Sequence, residues 1–114
     1  DFTLASPDGF AIRVTRPTTW TVTGTPFDGP LTATMGGGWS LVGARSPVAP
    51  TTSTGLLSSL SARAGGTAPV SEIARWQAGQ WESALAGLPV NRFEIASGRA
   101  YFVRAPAAFT WAIP

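Results

Sequence analysis

In the first quarter of the chain, apolar and polar positions alternate. Phe10, Ile12 and Val14 are separated by Ala11 and Arg13, and Trp20 and Val22 by Thr21. A period of two puts every second side chain on one face, so each run predicts a half-buried strand. The turn-forming stretches "SPDG" and "RPTT" precede these runs, predicting an antiparallel meander of Phe2–Ala5, Phe10–Val14 and Trp20–Thr23. After a loop at Gly24–Pro30, Leu31–Met35 alternates as a short strand. Behind three glycines, "WSLVG" at Trp39–Gly43 is apolar enough to predict a central strand. Prolines exclude regular structure from Ser46–Thr52, because they remove donors and fix φ.

The pattern then changes period. Leu56, Leu57 and Leu60 form a helical stripe, Ser53 or Thr54 can cap the free N–H groups before it, and Gly65–Gly66 can end it. This predicts a short amphipathic helix over Thr54–Ala64, lying flat on a sheet. Val70–Leu85 admits two readings. As a helix it would group Ile73, Trp76 and Gln80; as a hairpin it would turn at "QAG" with Gly79 in the left-handed region. The hairpin is favoured because Gly79 would weaken a helix interior. A closing meander is predicted over Phe93–Ala96, Tyr101–Ala105 and Thr110–Ile113.

The closing meander repeats the opening one. A shift of 91 residues lays Phe2–Val22 on Phe93–Ile113 without a gap, with Phe2/Phe93, Ala5/Ala96, Ser6/Ser97, Arg13/Arg104, Thr19/Thr110 and Trp20/Trp111 identical. Leu4/Ile95, Phe10/Tyr101, Ile12/Val103 and Val22/Ile113 are conservative pairs. Self-similarity at a long fixed period marks tandem arrays. The chain is therefore read as a single repeat-type domain, mainly β with one short helix. In that reading two related meanders, 1–23 and 93–114, flank one shared core, with linker and central strand at 24–53. If one meander can occupy the other's place in a neighbour, chains could also join head-to-tail by strand exchange. Asp1 starting abruptly inside a strand pattern points to further chain upstream.

Four phrases carry a family resemblance: "GWSLVG" at Gly38–Gly43, "IARWQAGQW" at Ile73–Trp81, "GRAYFV" at Gly98–Val103, and "TWTVTG" at Thr19–Gly24 with Phe109–Ile113 as its second copy. They resemble the "GWNLVG", "IxxWxxGxW", "GxGYFV" and "GTWTVxG" phrases of tandem modules in large secreted and cell-surface proteins of bacteria such as the Chloroflexota. Ser40 stands where those modules have Asn, and Ala100 where they have Gly. The resemblance implies an extracellular or cell-surface location and neighbouring modules as partners. It brings no catalytic residues and no cofactor.

Composition narrows the chemistry. All eight basic residues are Arg, set singly against six acids for a net charge of +2. No basic cluster of the kind that grips nucleic acid is present. With no His and no Cys in the chain, His-based triads, Cys nucleophiles and zinc sites built on those ligands are excluded within it. No apolar run approaches the ~18 residues that a membrane-spanning helix needs. The acids Asp8, Asp28, Glu72, Glu82 and Glu94 are the remaining candidates for a catalytic carboxylate pair, or, for Asp8 and Asp28, a calcium site. Their spacing supports neither, and Glu82 and Glu94 are expected to face solvent. The expected role is a non-catalytic structural or adhesive module, the alternative a carbohydrate-binding module. Of the five tryptophans, Trp20, Trp39 and Trp111 lie on the apolar phase of their strands and are expected in the core. Trp76 and Trp81 flank a turn and, with Tyr101, are the candidate platform for a polysaccharide. Tyr101 and Phe102, being adjacent, must point to opposite faces. Arg13 and Arg104, equivalent in the two copies and opposite the apolar phase, are candidates for an inter-module contact or for solubilising charges.

Overall fold

A computed structural model describes residues 9–21, 23, 31–44, 52–63, 69–89 and 93–113. The fold is mainly β, with six strands and one helix among these residues. The strands are β1 Leu31–Met35, β2 Gly38–Gly43, β3 Glu72–Gln77, β4 Gln80–Leu85, β5 Ala100–Ala105 and β6 Phe109–Ile113; the helix α1 spans Ser53–Arg63. A four-stranded antiparallel sheet has the order β2-β5-β3-β4, and β1 pairs with β6. The β1–β6 pair prolongs the β2–β5 pair with a slip of one residue. Met35 faces Phe109 and Gly38 faces Ala105, leaving two residues between the pairings on one strand and three on the other. An extra residue of this kind bends a ladder in the manner of a bulge.

The predicted hairpin is present. Ala78 and Gly79 make its two-residue turn, with φ of 51° and 79°, and Trp76 pairs with Trp81 across it. Two consecutive positive φ values are the signature of a type I′ turn, whose twist matches that of the strands. Alanine is a poor fit at the first of these positions, since its Cβ opposes the left-handed region by ~1–2 kcal/mol. Ala78→Asn should therefore raise stability by about 0.5–1 kcal/mol, read as an upward shift of the urea midpoint at unchanged slope.

The helix forms one residue earlier than predicted, and its cap is neither Ser53 nor Thr54. Thr52 Oγ1 accepts the Gly55 N–H at 3.2 Å, and the Thr52 carbonyl accepts the Leu56 N–H at 2.8 Å. Ser53 is drawn inward instead. It is fully buried, its Oγ accepts the Phe93 N–H, and its own N–H donates to the Phe93 carbonyl. Phe93–Ala96 is thus held by the helix N-terminus and a single bridge, Thr52 to Glu94, rather than forming a strand. The predicted helix end at Gly65–Gly66 lies outside the described residues.

Leu56, Leu57 and Leu60 pack with Val42, Ile73, Ala84, Tyr101 and Val103 to form the core between the helix and one face of the sheet. Phe93 and Ile95 close it at one end, and Trp111 packs against it half-buried. Two expectations are corrected here. The apolar β2 is an edge strand; β5 and β3 are central, because Glu72, Ile73 and Ala74 pair with Arg104, Val103 and Phe102. The closing segment is no meander either, since β5 and β6 bond to different partners rather than to each other.

The opening meander fares differently. Residues 9–21 contain no strand, and Ile12, Val14 and Trp20 are 61%, 55% and 65% exposed. The described part of the first copy therefore does not flank the core. Gly9 touches the folded body: its N–H donates to the Leu41 carbonyl at 3.1 Å. It lies so close that a Cβ would stand 2.8 Å from both Ala100 Cβ and Leu41 Cγ. Phe2–Ala5 lies outside the described residues.

Candidate functional site

Alternation along the four paired strands gives the sheet a second face, opposite the helix. One row across it reads Trp39, Arg104, Glu72, Leu85, and the next reads Leu41, Phe102, Ala74, Ser83. The Trp76–Trp81 pair follows at the hairpin end. An antiparallel sheet with one solvated face normally carries polar residues there. This face instead carries Trp39, Trp76 and Trp81, which are 51%, 56% and 57% exposed. The expectation that Trp39 is a core residue is overturned, as it is for Trp20. In "WSLVG" both phases are apolar, and the register with β5 turns Val42 inward and Trp39 out.

The aromatic side chains hold one another in place. Trp81 sits edge-to-face with Trp76 on one side, at 5.2 Å between ring centroids, and with Phe102 on the other, at 5.0 Å. Both spacings fall within the range where such pairs attract through their quadrupoles. Trp39 stands across the sheet, with the Arg104 guanidinium 5.9 Å from its ring centroid, within reach of a cation–π contact. Between Trp39 and Trp81 lies a cleft of about 460 Å³, with Ala74 and Phe102 at its floor and Glu72 and Ser83 adding the polar groups. Its size is that of a small-ligand site.

Of the residues singled out from sequence, Trp76 and Trp81 stand together on this face, as does Arg104. Trp39 and Phe102 belong to the site as well. For Phe102 the sequence required only a face opposite to Tyr101, and the register decides that Phe102 is the outward one; for Trp39 too only the register could decide. Tyr101 is not part of the platform. It is buried on the helix side with its ring stacked on Phe93, and its hydroxyl accepts the Ala96 N–H at 2.7 Å while donating to the Glu94 carbonyl at 3.3 Å. Arg13 lies far along the sequence in the exposed stretch 9–21, apart from any strand.

The described carboxylates are dispersed. Glu72 is on the aromatic face and Glu82 on the opposite one, where its side chain is 44% exposed and Arg75 Nε donates to its Oε2 at 2.5 Å. The same Arg75 guanidinium lies 4.6 Å from the centroid of the Phe93 ring, so this pair caps the Phe93–Tyr101 stack. Among the described residues no three His, Cys, Asp or Glu come together as a metal site, and no helix is long and apolar enough to cross a membrane. Asp8 and Asp28 lie outside the described residues. Comparison of the chain with family models, with curated proteins and with solved structures gives no match.

Proposed function

We propose that the chain is a non-catalytic adhesive and structural repeat module of a secreted or cell-surface protein, and that its adhesive surface is the aromatic face, which takes a saccharide. The observation that carries this reading is the gathering of Trp39, Trp81 and Phe102 around one cleft, with Trp76 beside it. Exposed apolar surface of this kind marks a contact site rather than ordinary solvent-facing sheet. An indole face packs on the C–H groups of a pyranose ring, and its flatness selects that shape over branched aliphatic ligands. Glu72 and Ser83 supply a carboxylate and a hydroxyl for sugar hydroxyls. Arg104 stiffens Trp39 from above. Among the described residues Glu72 has no second carboxylate on its face to share acid–base work.

Tryptophan emission measured against a panel of soluble polysaccharides, followed by calorimetric titration of those that shift it, tests the reading. Trp39→Ala and Trp81→Ala should each weaken binding about tenfold, since one stacking contact is worth ~1–1.5 kcal/mol. Both should leave the unfolding midpoint nearly unchanged, because the side chains are half exposed. Emission that no polysaccharide moves, or alanine variants that bind as tightly as the parent, would sink it.

A further inference from the structure

Every described strand and the helix lie between residues 31 and 113, and the buried core is drawn from Met35 to Ala105. The stretch 9–21 contributes none of it, yet it carries the sequence of the most central part of that core. Under the 91-residue shift, Phe10 corresponds to Tyr101, Ile12 to Val103, Val14 to Ala105 and Trp20 to Trp111. Tyr101, Val103 and Ala105 are buried on β5, whereas Ile12, Val14 and Trp20 are more than half exposed. The backbone supplies a second, independent match. The chain bends at Thr15–Arg16 and again at Pro106–Ala107, which are equivalent positions under the same shift. In the second copy that bend joins β5 to β6. The first copy thus has the apolar phase and the bend of a β5–β6 unit, but no sheet to complete.

We infer that residues 9–21 are the β5–β6 unit of a preceding repeat, and that their partner is a second copy of the segment 24–91. The inference rests on the internal repeat and is independent of any saccharide. The acceptor cannot be the sheet of this same repeat, because β5 already lies between β2 and β3 there and β6 lies on β1. That occupancy also makes strand exchange between separate chains the weaker route, since it would require expelling a strand already built into the sheet. The register follows from the second copy. Val103 faces Ser40 and Ile73, Arg104 faces Trp39 and Glu72, and Trp111 faces Ala33. In the preceding repeat, then, Ile12 lies between the equivalents of Ser40 and Ile73. Arg13 lies between those of Trp39 and Glu72, and Trp20 faces that of Ala33. Arg13 would come to rest on the aromatic face of that repeat as Arg104 does on this one, with Ala11 standing where this repeat has Phe102. Successive sheets are joined through the stretch from the end of β6 to the start of β1.

The test is amide hydrogen exchange followed by NMR, on the full chain and on the full chain preceded by a second copy of residues 24–91. In the longer protein the amides of Ile12 and Val14 should slow at least about a hundredfold, approaching those of Val103 and Ala105, as expected for amides moved from open chain into a central strand. If they exchange as fast as in the shorter chain while Val103 stays protected, the inference is wrong. A second measurement decides the case in which the longer protein fails to fold. Replacing residues 93–113 of the full chain by residues 2–22, with no other change, should preserve cooperative unfolding if the two are the same structural unit. A chimaera that loses cooperative unfolding overturns the assignment.

Discussion

Ile73→Ala is expected to remove about 3–4 kcal/mol of stability, within the range for deleting a buried branched side chain whose surroundings relax only in part. Ile73 is 0% exposed and sits in the middle of the sheet, paired with Ala84 on one side and Val103 on the other. Leu56, Leu57 and Leu60 of the helix belong to the same cluster. Truncation would leave a void bounded by two strands and a helix, none of which can move in without breaking a ladder. For a small domain with total stability of ~5–15 kcal/mol, such a loss is a large fraction of the whole. Ile73→Val removes a single methylene and should cost only ~0.5–1.5 kcal/mol. Urea denaturation of the three proteins checks both values. Equal, small losses from the two variants would mean that the helix does not pack on this part of the sheet.

The second large effect is expected at Tyr101, where two substitutions separate ring from hydroxyl. Tyr101→Ala should cost about 4 kcal/mol, because it deletes a buried aromatic that stacks on Phe93 at 6.1 Å, nearly parallel. Tyr101→Phe keeps the stack and removes the hydroxyl, which accepts the Ala96 N–H and donates to the Glu94 carbonyl. That should cost ~1–2 kcal/mol, the usual range for leaving partly buried partners unsatisfied. Both variants should be read in denaturant together with the exchange of the Ala96 amide, which loses its acceptor in each. Neither should change the affinity of the aromatic face beyond what partial unfolding accounts for, since Tyr101 points away from it. A Tyr101→Phe variant of parental stability but impaired binding would return Tyr101 to the ligand platform.

These predictions mark the line between local and tertiary information. The helix is legible from its leucine stripe, which matches one turn of spacing on a single face. The hairpin at Glu72–Gln77 and Gln80–Leu85 is legible too, because a turn glycine and period-two alternation act over a few residues. Strand β5 is legible as Tyr101–Ala105 for the same reason. The outward placement of Trp39 was not. Trp39 and Val42 lie on opposite phases of one strand, both apolar, and a slip of one residue exchanges inside for outside along the whole strand. Only the pairing of β2 with β5, sixty residues away in sequence, settles which side faces the helix.

What the sequence determined by itself is therefore the class and its local elements: a mainly β chain, one short helix, a tight hairpin, and a pattern that recurs at a fixed distance. Each of these is encoded by residues close together, through side-chain period, turn chemistry and self-similarity. What only the tertiary structure decided is which strands are central, which face the helix covers, and that one copy of the repeated unit is inside the sheet while the described part of the other stands exposed. Two segments with the same apolar phase have similar local preferences. A strand becomes part of a core only where partner strands offer unpaired backbone groups and an apolar face to cover. Within this chain the central place between β2 and β3 is occupied by β5, and of the described part of the first copy Gly9 bonds to the edge strand β2.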